Sequence, residues 1–78
     1  MTNIEKYKQV FITLFGVKEK ELPKLIYQSN DLWDSVGHME LITKLEEAFC
    51  IVIETDDVID LDSFLKGYVV LKKYGVRF

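Results

Sequence analysis

The chain has 78 residues, 49% of them hydrophobic, a single cysteine and a net charge of −3. That length holds one modest core, and one cysteine excludes an internal disulfide and most cysteine-based metal sites. The unbroken apolar runs fall far short of the roughly 20 residues that span a bilayer, and residues 1–10 lack the features of a secretion signal.

These features predict one domain over residues 1–78 in a reducing, cytoplasmic setting, without membrane insertion. The charge is unevenly distributed. Ten acids and one base, Lys44, lie between Asp31 and Asp62, so that window carries −9 and the other 46 residues carry +6. An acidic field of this kind repels phosphate backbones and attracts basic protein surfaces. Nucleic acid is therefore not an expected partner, and basic protein patches are.

In chain order, Ile4, Tyr7, Phe11 and Leu14 recur at helical spacing and predict a helix over 3–15. Thr2 and Glu5 are placed for a capping box, and Gly16 for a stop. Residues 17–33 form a long connection with the only proline, Pro23, and apolar anchors at Leu22, Leu25, Ile26 and Leu32. Connections of this length are often functional; one short helical turn within it is compatible with the pattern. A second helix is predicted over 36–49, with Met39, Ile42, Leu45 and Phe49 as its apolar stripe, widened by Leu41 and Ala48, and Glu40, Lys44 and Glu47 opposite.

"CIVIE" alternates briefly but has no partner strand, so it reads as an extended connector. Thr55 is expected to cap a short helix over 56–60, with Asp56 and Asp57 at its positive end. Asp62 or Ser63 caps a last helix over about 63–74, with Phe64, Leu65, Tyr68 and Leu71 on its apolar side and Gly75 at its end. The predicted architecture is an all-α four-helix bundle: three longer helices, one short helix, and a long loop between the first two.

Asp34-Ser35 stands at the start of the second helix. Serine before a helix is commonly a cap, since its oxygen accepts a hydrogen bond from a free backbone N–H. Yet either residue suffices for that. The pair ends a long loop and is followed by an acidic amphipathic helix and a second acidic cluster. A phosphate ester on Ser35 would sit where free N–H groups and the helix dipole stabilise an anion.

"DSVGHMELITKLEEAFCIVIETDDVIDLDSF" resembles the acyl carrier proteins and related phosphopantetheine-binding carrier domains: their Asp-Ser-Leu motif, their "LEEEFGIEI" helix end and their following acidic helix. The likeness extends to length, helix order and charge layout. It implies a non-enzymatic monomeric carrier, with Ser35 bearing 4'-phosphopantetheine from coenzyme A through a phosphodiester at its Oγ. Acyl groups would travel on that arm as thioesters, serving fatty-acid or specialised acyl or polyketide biosynthesis. It makes Asp34 the neighbour required by the phosphopantetheinyl transferase. Glu40, Glu46 and Glu47, with Asp56, Asp57 and Asp60, would dock onto basic patches of acyl-loading and acyl-transferring enzymes, and Val36 and Met39 share that surface. Leu45, Ile53, Val58, Ile59 and Phe64 take positions where the family shelters an acyl chain.

There are departures from the family pattern. Val36 replaces the usual leucine. Trp33 is large beside the modification site and reads as a lid on the core in preference to a partner anchor. Gly37 weakens the first helical turn by up to about 1 kcal/mol relative to alanine; it either admits another backbone or marks a tolerated weak end. His38 is expected on the surface. Cys50 is expected to be a partly buried structural thiol, with no base to activate it. The acids from Asp56 to Asp62 do not form an EF-hand, because Phe64 falls where a fifth-position ligand is needed.

Two rivals stay open. Peptidyl or aminoacyl carriers typically have Gly-Gly before the serine pair, and "NDLWDS" lacks it. A helical interaction module without a prosthetic group would use the same acidic face, with Ser35 only as a cap. One histidine and one cysteine do not assemble a hydrolytic triad.

Overall fold

Thr2 opens the first helix of the computed structural model, which describes all 78 residues. Its hydroxyl accepts from the Glu5 amide and the Glu5 carboxylate accepts from the Thr2 amide, both at 3.1 Å, so the predicted capping box closes. Helix α1 spans Asn3–Phe15, and the Gly16 N–H returns to the Ile12 carbonyl in a left-handed C-cap.

The long connection is less irregular than expected. Glu19–Lys24 forms a 3-10 helix with Pro23 inside it, which makes five helical segments in place of four. Leu22 and Leu25 anchor this connection in the core, whereas the other two expected anchors, Ile26 and Leu32, are exposed. Ile26 contributes its backbone instead, in a single antiparallel bridge to Ser63. On either side of it the Tyr27 N–H donates to the Asp62 carbonyl (2.8 Å) and the Phe64 N–H to the Leu25 carbonyl (2.9 Å). The connection is thus a strap sewn to the entry of the last helix.

Helices α2 (Ser35–Phe49), α3 (Thr55–Asp60) and α4 (Phe64–Lys72) follow. Helix α4 ends at Lys72 with Lys73 as its C-cap, before Gly75, and it buries Phe64, Gly67, Val70 and Leu71 while the expected Leu65 is exposed. The chain is all-α at 63% helix, without strands, and residues 51–54 run as the expected extended connector. Thr55 is not the cap of α3. Glu54 occupies that position without a side-chain bond, and Thr55 is already helical. No helix is long and apolar enough to cross a membrane.

Aromatic rings fill the interior. Tyr7 meets Phe11, Phe64 and Tyr68 with centroids 4.6–5.0 Å apart, and Trp33 stacks on Phe15 at 5.0 Å and meets Phe11 edge-on. Trp33 is fully buried, so it is a piece of the core itself. Burial pushes the Tyr7 hydroxyl pKa far up, which keeps it protonated, and it donates to the Phe64 carbonyl at 2.7 Å. That hydroxyl lies against α4 where a Cβ on Gly67 would come within 1.6 Å of it. Gly67 sits in mid-helix despite its poor propensity because nothing larger fits beneath Tyr7.

Candidate functional site

At the start of α2 the structure distinguishes the two members of the Asp-Ser pair. Asp34 is the N-cap: its backbone is extended and its carboxylate accepts from the Gly37 N–H at 2.8 Å. Ser35 is the first helical residue. It is exposed and its hydroxyl has no hydrogen-bond partner within the protein. Gly37 and His38 spend their amides on Asp34, while those of Ser35 and Val36 lie ahead of the first intrahelical bond. An anion on the Ser35 oxygen would meet two free N–H groups and the positive end of a 15-residue helix.

What lies beneath this end explains Gly37 and corrects the expectation for His38. A Cβ on Gly37 would stand 1.9 Å from the Leu32 carbonyl oxygen, so the glycine admits the incoming backbone. Trp33, carried inward by that approach, needs a partner for its buried indole N–H. His38 provides it: Trp33 Nε1 donates to His38 Nδ1 at 2.9 Å, and the rings are nearly coplanar. An accepting Nδ1 places the proton on Nε2, which donates to the Val58 carbonyl at 2.7 Å. His38 is therefore half-buried and ties α2 to α3.

The buried side of α2 runs through Gly37, Leu41, Ile42 and Leu45, with Ala48 and Phe49 half-buried; of the expected stripe only Met39 is exposed. Val36 is exposed too. With Ser35, Glu40, Thr43 and Lys44 they border a shallow groove that starts at the serine and follows the helix.

The acids divide into two groups. Glu40, Glu47, Asp56 and Asp60 are exposed. Glu46 is half-buried and its carboxylate accepts from the Ile53 N–H at 2.8 Å, holding the connector after α2. Asp57 is nearly buried, bonded to the Lys73 ammonium and the Tyr74 hydroxyl. The Lys73 ammonium and then the Tyr74 hydroxyl hold the Asp57 carboxyl below the usual carboxylate range. Asp57 raises the values of Lys73 and Tyr74 in return. Glu46 and Asp57 thus fasten the fold, and the other four stay exposed on this face, Glu47 paired loosely with Lys44 at 3.9 Å.

The five residues matched to a family acyl pocket do not line a common cavity. Leu45, Ile53 and Phe64 are packed in the core, Val58 is half-buried and Ile59 is exposed. Only Ile59 borders a cavity, of about 210 Å³, with Tyr27, His38, Leu61 and Asp62. Cys50 is exposed in place of the expected partial burial, in the left-handed turn that ends α2.

The Trp33–His38–Val58 chain and the Asp57–Lys73–Tyr74 cluster were not foreseen from the sequence. The former had one available signal, the five-residue spacing of a tryptophan and a histidine astride a helix start. Comparison with protein families, curated proteins and solved structures finds no match to this chain.

Proposed function

We propose that this chain is an acyl carrier protein, activated by attachment of 4'-phosphopantetheine to Ser35. The observation that carries the reading is the division of labour at α2: Asp34 caps the helix, leaving Ser35 exposed with an unoccupied hydroxyl. A serine needed for capping would have its oxygen committed to the helix.

In the attachment step the Ser35 hydroxyl gives up its proton to the transferase or solvent and its oxygen bonds to the coenzyme A phosphorus that carries the pantetheine. The P–O bond of the pyrophosphate on the adenosine side breaks, and adenosine 3',5'-bisphosphate leaves. The amides of Ser35 and Val36 favour the phosphodiester so formed. Once attached, the arm supplies a terminal thiol for acyl cargo. The protein's own part is recognition. Val36 and Met39 offer apolar contact beside Ser35, and Glu40, Glu47, Asp56 and Asp60 offer charge to a basic partner. Exposed pairs of this kind contribute about 0.2–1 kcal/mol each, which suits fast, steered and reversible docking.

Intact mass after incubation with coenzyme A and a broad-specificity phosphopantetheinyl transferase tests the reading. One added phosphopantetheinyl group, absent in Ser35→Ala, is expected. A folded chain that several such transferases leave unmodified would instead be an interaction module using its acidic face alone.

A further inference from the structure

If Ser35 carries an acyl group, the hydrocarbon needs a place to lie, and the interior of this bundle is closed to it. The His38–Val58 bond closes α2 onto α3, Glu46 on the Ile53 amide holds the connector between them, and Asp57 on Lys73 and Tyr74 holds α3 to the residues after α4. Tyr74 also accepts from the Glu54 N–H at 2.9 Å, so α3 is tied at its entry as well as along its length. Behind these ties stand fully buried Leu41, Leu45, Leu61 and Trp33. Admitting a chain there would break the ties and displace the rings.

The outer side of α2 offers a different place. The groove that begins at Ser35 reaches Lys44, and Lys44 also borders a second groove, between α1 and α2. This second groove has a volume of about 430 Å³, with an apolar floor of Val10, Leu14 and Ala48. It exceeds twice the ~150 Å³ of a cavity that takes up benzene. Lys6 and Lys44 stand at its rim, where their aliphatic stems extend the apolar wall and their ammonium groups remain in water. From Ser35 to Lys44 is nine residues of helix, about 14 Å along the axis at about 1.5 Å per residue. An extended phosphopantetheine arm covers that distance.

We infer that the α1–α2 groove is the resting site for the apolar acyl chain of the loaded protein. This rests on modification at Ser35. The arm lies along the Ser35–Lys44 groove, and its hydrocarbon end settles on Val10, Leu14 and Ala48, outside the core.

The test loads the full chain from butyryl-, octanoyl- and dodecanoyl-coenzyme A and records amide spectra of each form. Amide shifts at Val10, Thr13, Leu14 and Ala48 that grow with chain length, with Leu45, Ile53 and Phe64 unmoved, are the expected result. Thr13→Glu places a carboxylate on the groove wall at an exposed position. It should still accept the arm by intact mass but lose the length-dependent shifts. Length-dependent shifts at Leu45, Ile53 and Phe64 would overturn the groove in favour of the core. An absence of length dependence at every amide would overturn it in favour of a chain left in solvent. Failure of the arm to attach, seen by mass alone, would overturn the carrier reading and the groove with it.

Discussion

Asp-Ser occurs twice in this chain, each time at the start of a helix, and the two pairs do opposite things. At α2 the aspartate caps, and the serine is one step inside the helix with its hydroxyl free. At α4 the serine caps: Ser63 accepts from the Lys66 N–H at 2.9 Å, and Asp62 is left exposed outside. A cap needs extended backbone, and neighbouring segments decide which residue has it. The bridge from Ile26 holds Ser63 extended. At the other start, Trp33 is fixed by burial and by the Gln28 N–H on its carbonyl, so the chain turns into helix one residue earlier in the motif. Register decides function here, and the dipeptide alone does not.

The largest separation between the two starts should appear in covalent modification. Ser35→Ala should abolish phosphopantetheine addition by intact mass, whereas Ser63→Ala should leave it complete. Addition to Ser63 would erase the distinction.

A smaller but still large difference is expected at the third helical position after each cap, Gly37 in α2 and Lys66 in α4. In Gly37→Ala the new methyl meets the Leu32 carbonyl at 1.9 Å, and backbone must move. A loss of about 1–3 kcal/mol is expected, as for other overpacked sites. For a domain of this size each kcal/mol lowers Tm by about 4–8 °C. Lys66→Ala, at an exposed position, should stay within about 0.5 kcal/mol of wild type. Equal Tm values for the two variants would mean that the Leu32 backbone is not pressed against α2.

The caps themselves sharpen the comparison further. Asp34→Ala and Ser63→Ala should each cost about 1 kcal/mol in denaturant unfolding, the usual value of a lost N-cap. Ser35→Ala and Asp62→Ala should each lie within about 0.5 kcal/mol of wild type. A Ser35→Ala loss as large as that of Asp34→Ala would return the serine to a structural role.

Much of this was legible because it is local. The capping box at Thr2 and Glu5 and the stop at Gly16 follow from residues within a few positions of one another. The apolar spacing of α1 was legible in part: Tyr7 and Phe11 are buried as expected, whereas Ile4 is exposed and Phe15 is buried in place of Leu14. What could not be read depends on contacts distant in sequence. His38 is polar and reads as surface until Trp33 turns inward and requires an acceptor. Glu46 and Asp57 belong to the acidic pattern of their helices, and only the folded chain brings the Ile53 amide and the Lys73 ammonium against them. One member of the α2 stripe failed for a related reason. Met39 is as apolar as its neighbours, but Gly37, with no side chain, is the residue that faces the incoming loop, and Met39 is left outside. At the site, the motif drew attention to Ser35, while the division of roles between Asp34 and Ser35 required the backbone.

The smallest effect concerns α3, which lies between the two starts in sequence and is anchored to the residues after α4. Asp57 is held below the ordinary carboxylate range by Lys73 first and Tyr74 second. A carboxyl whose folded value is depressed stabilises the fold above its unfolded value, near pH 4, and loses that contribution as pH falls through the folded value. Asp57→Asn should therefore lower Tm at pH 7, with the gap to wild type narrowing as pH falls below about 4. Lys73, whose value is raised by the same bond, gives the opposite limb: its contribution persists through neutral pH and fades only at strongly alkaline pH. Ser63 does not titrate in this range, so the gap between Ser63→Ala and wild type should hold from pH 7 to pH 3. If the Asp57→Asn gap were equally constant, Asp57 would be holding α3 through packing, and its charge would be incidental.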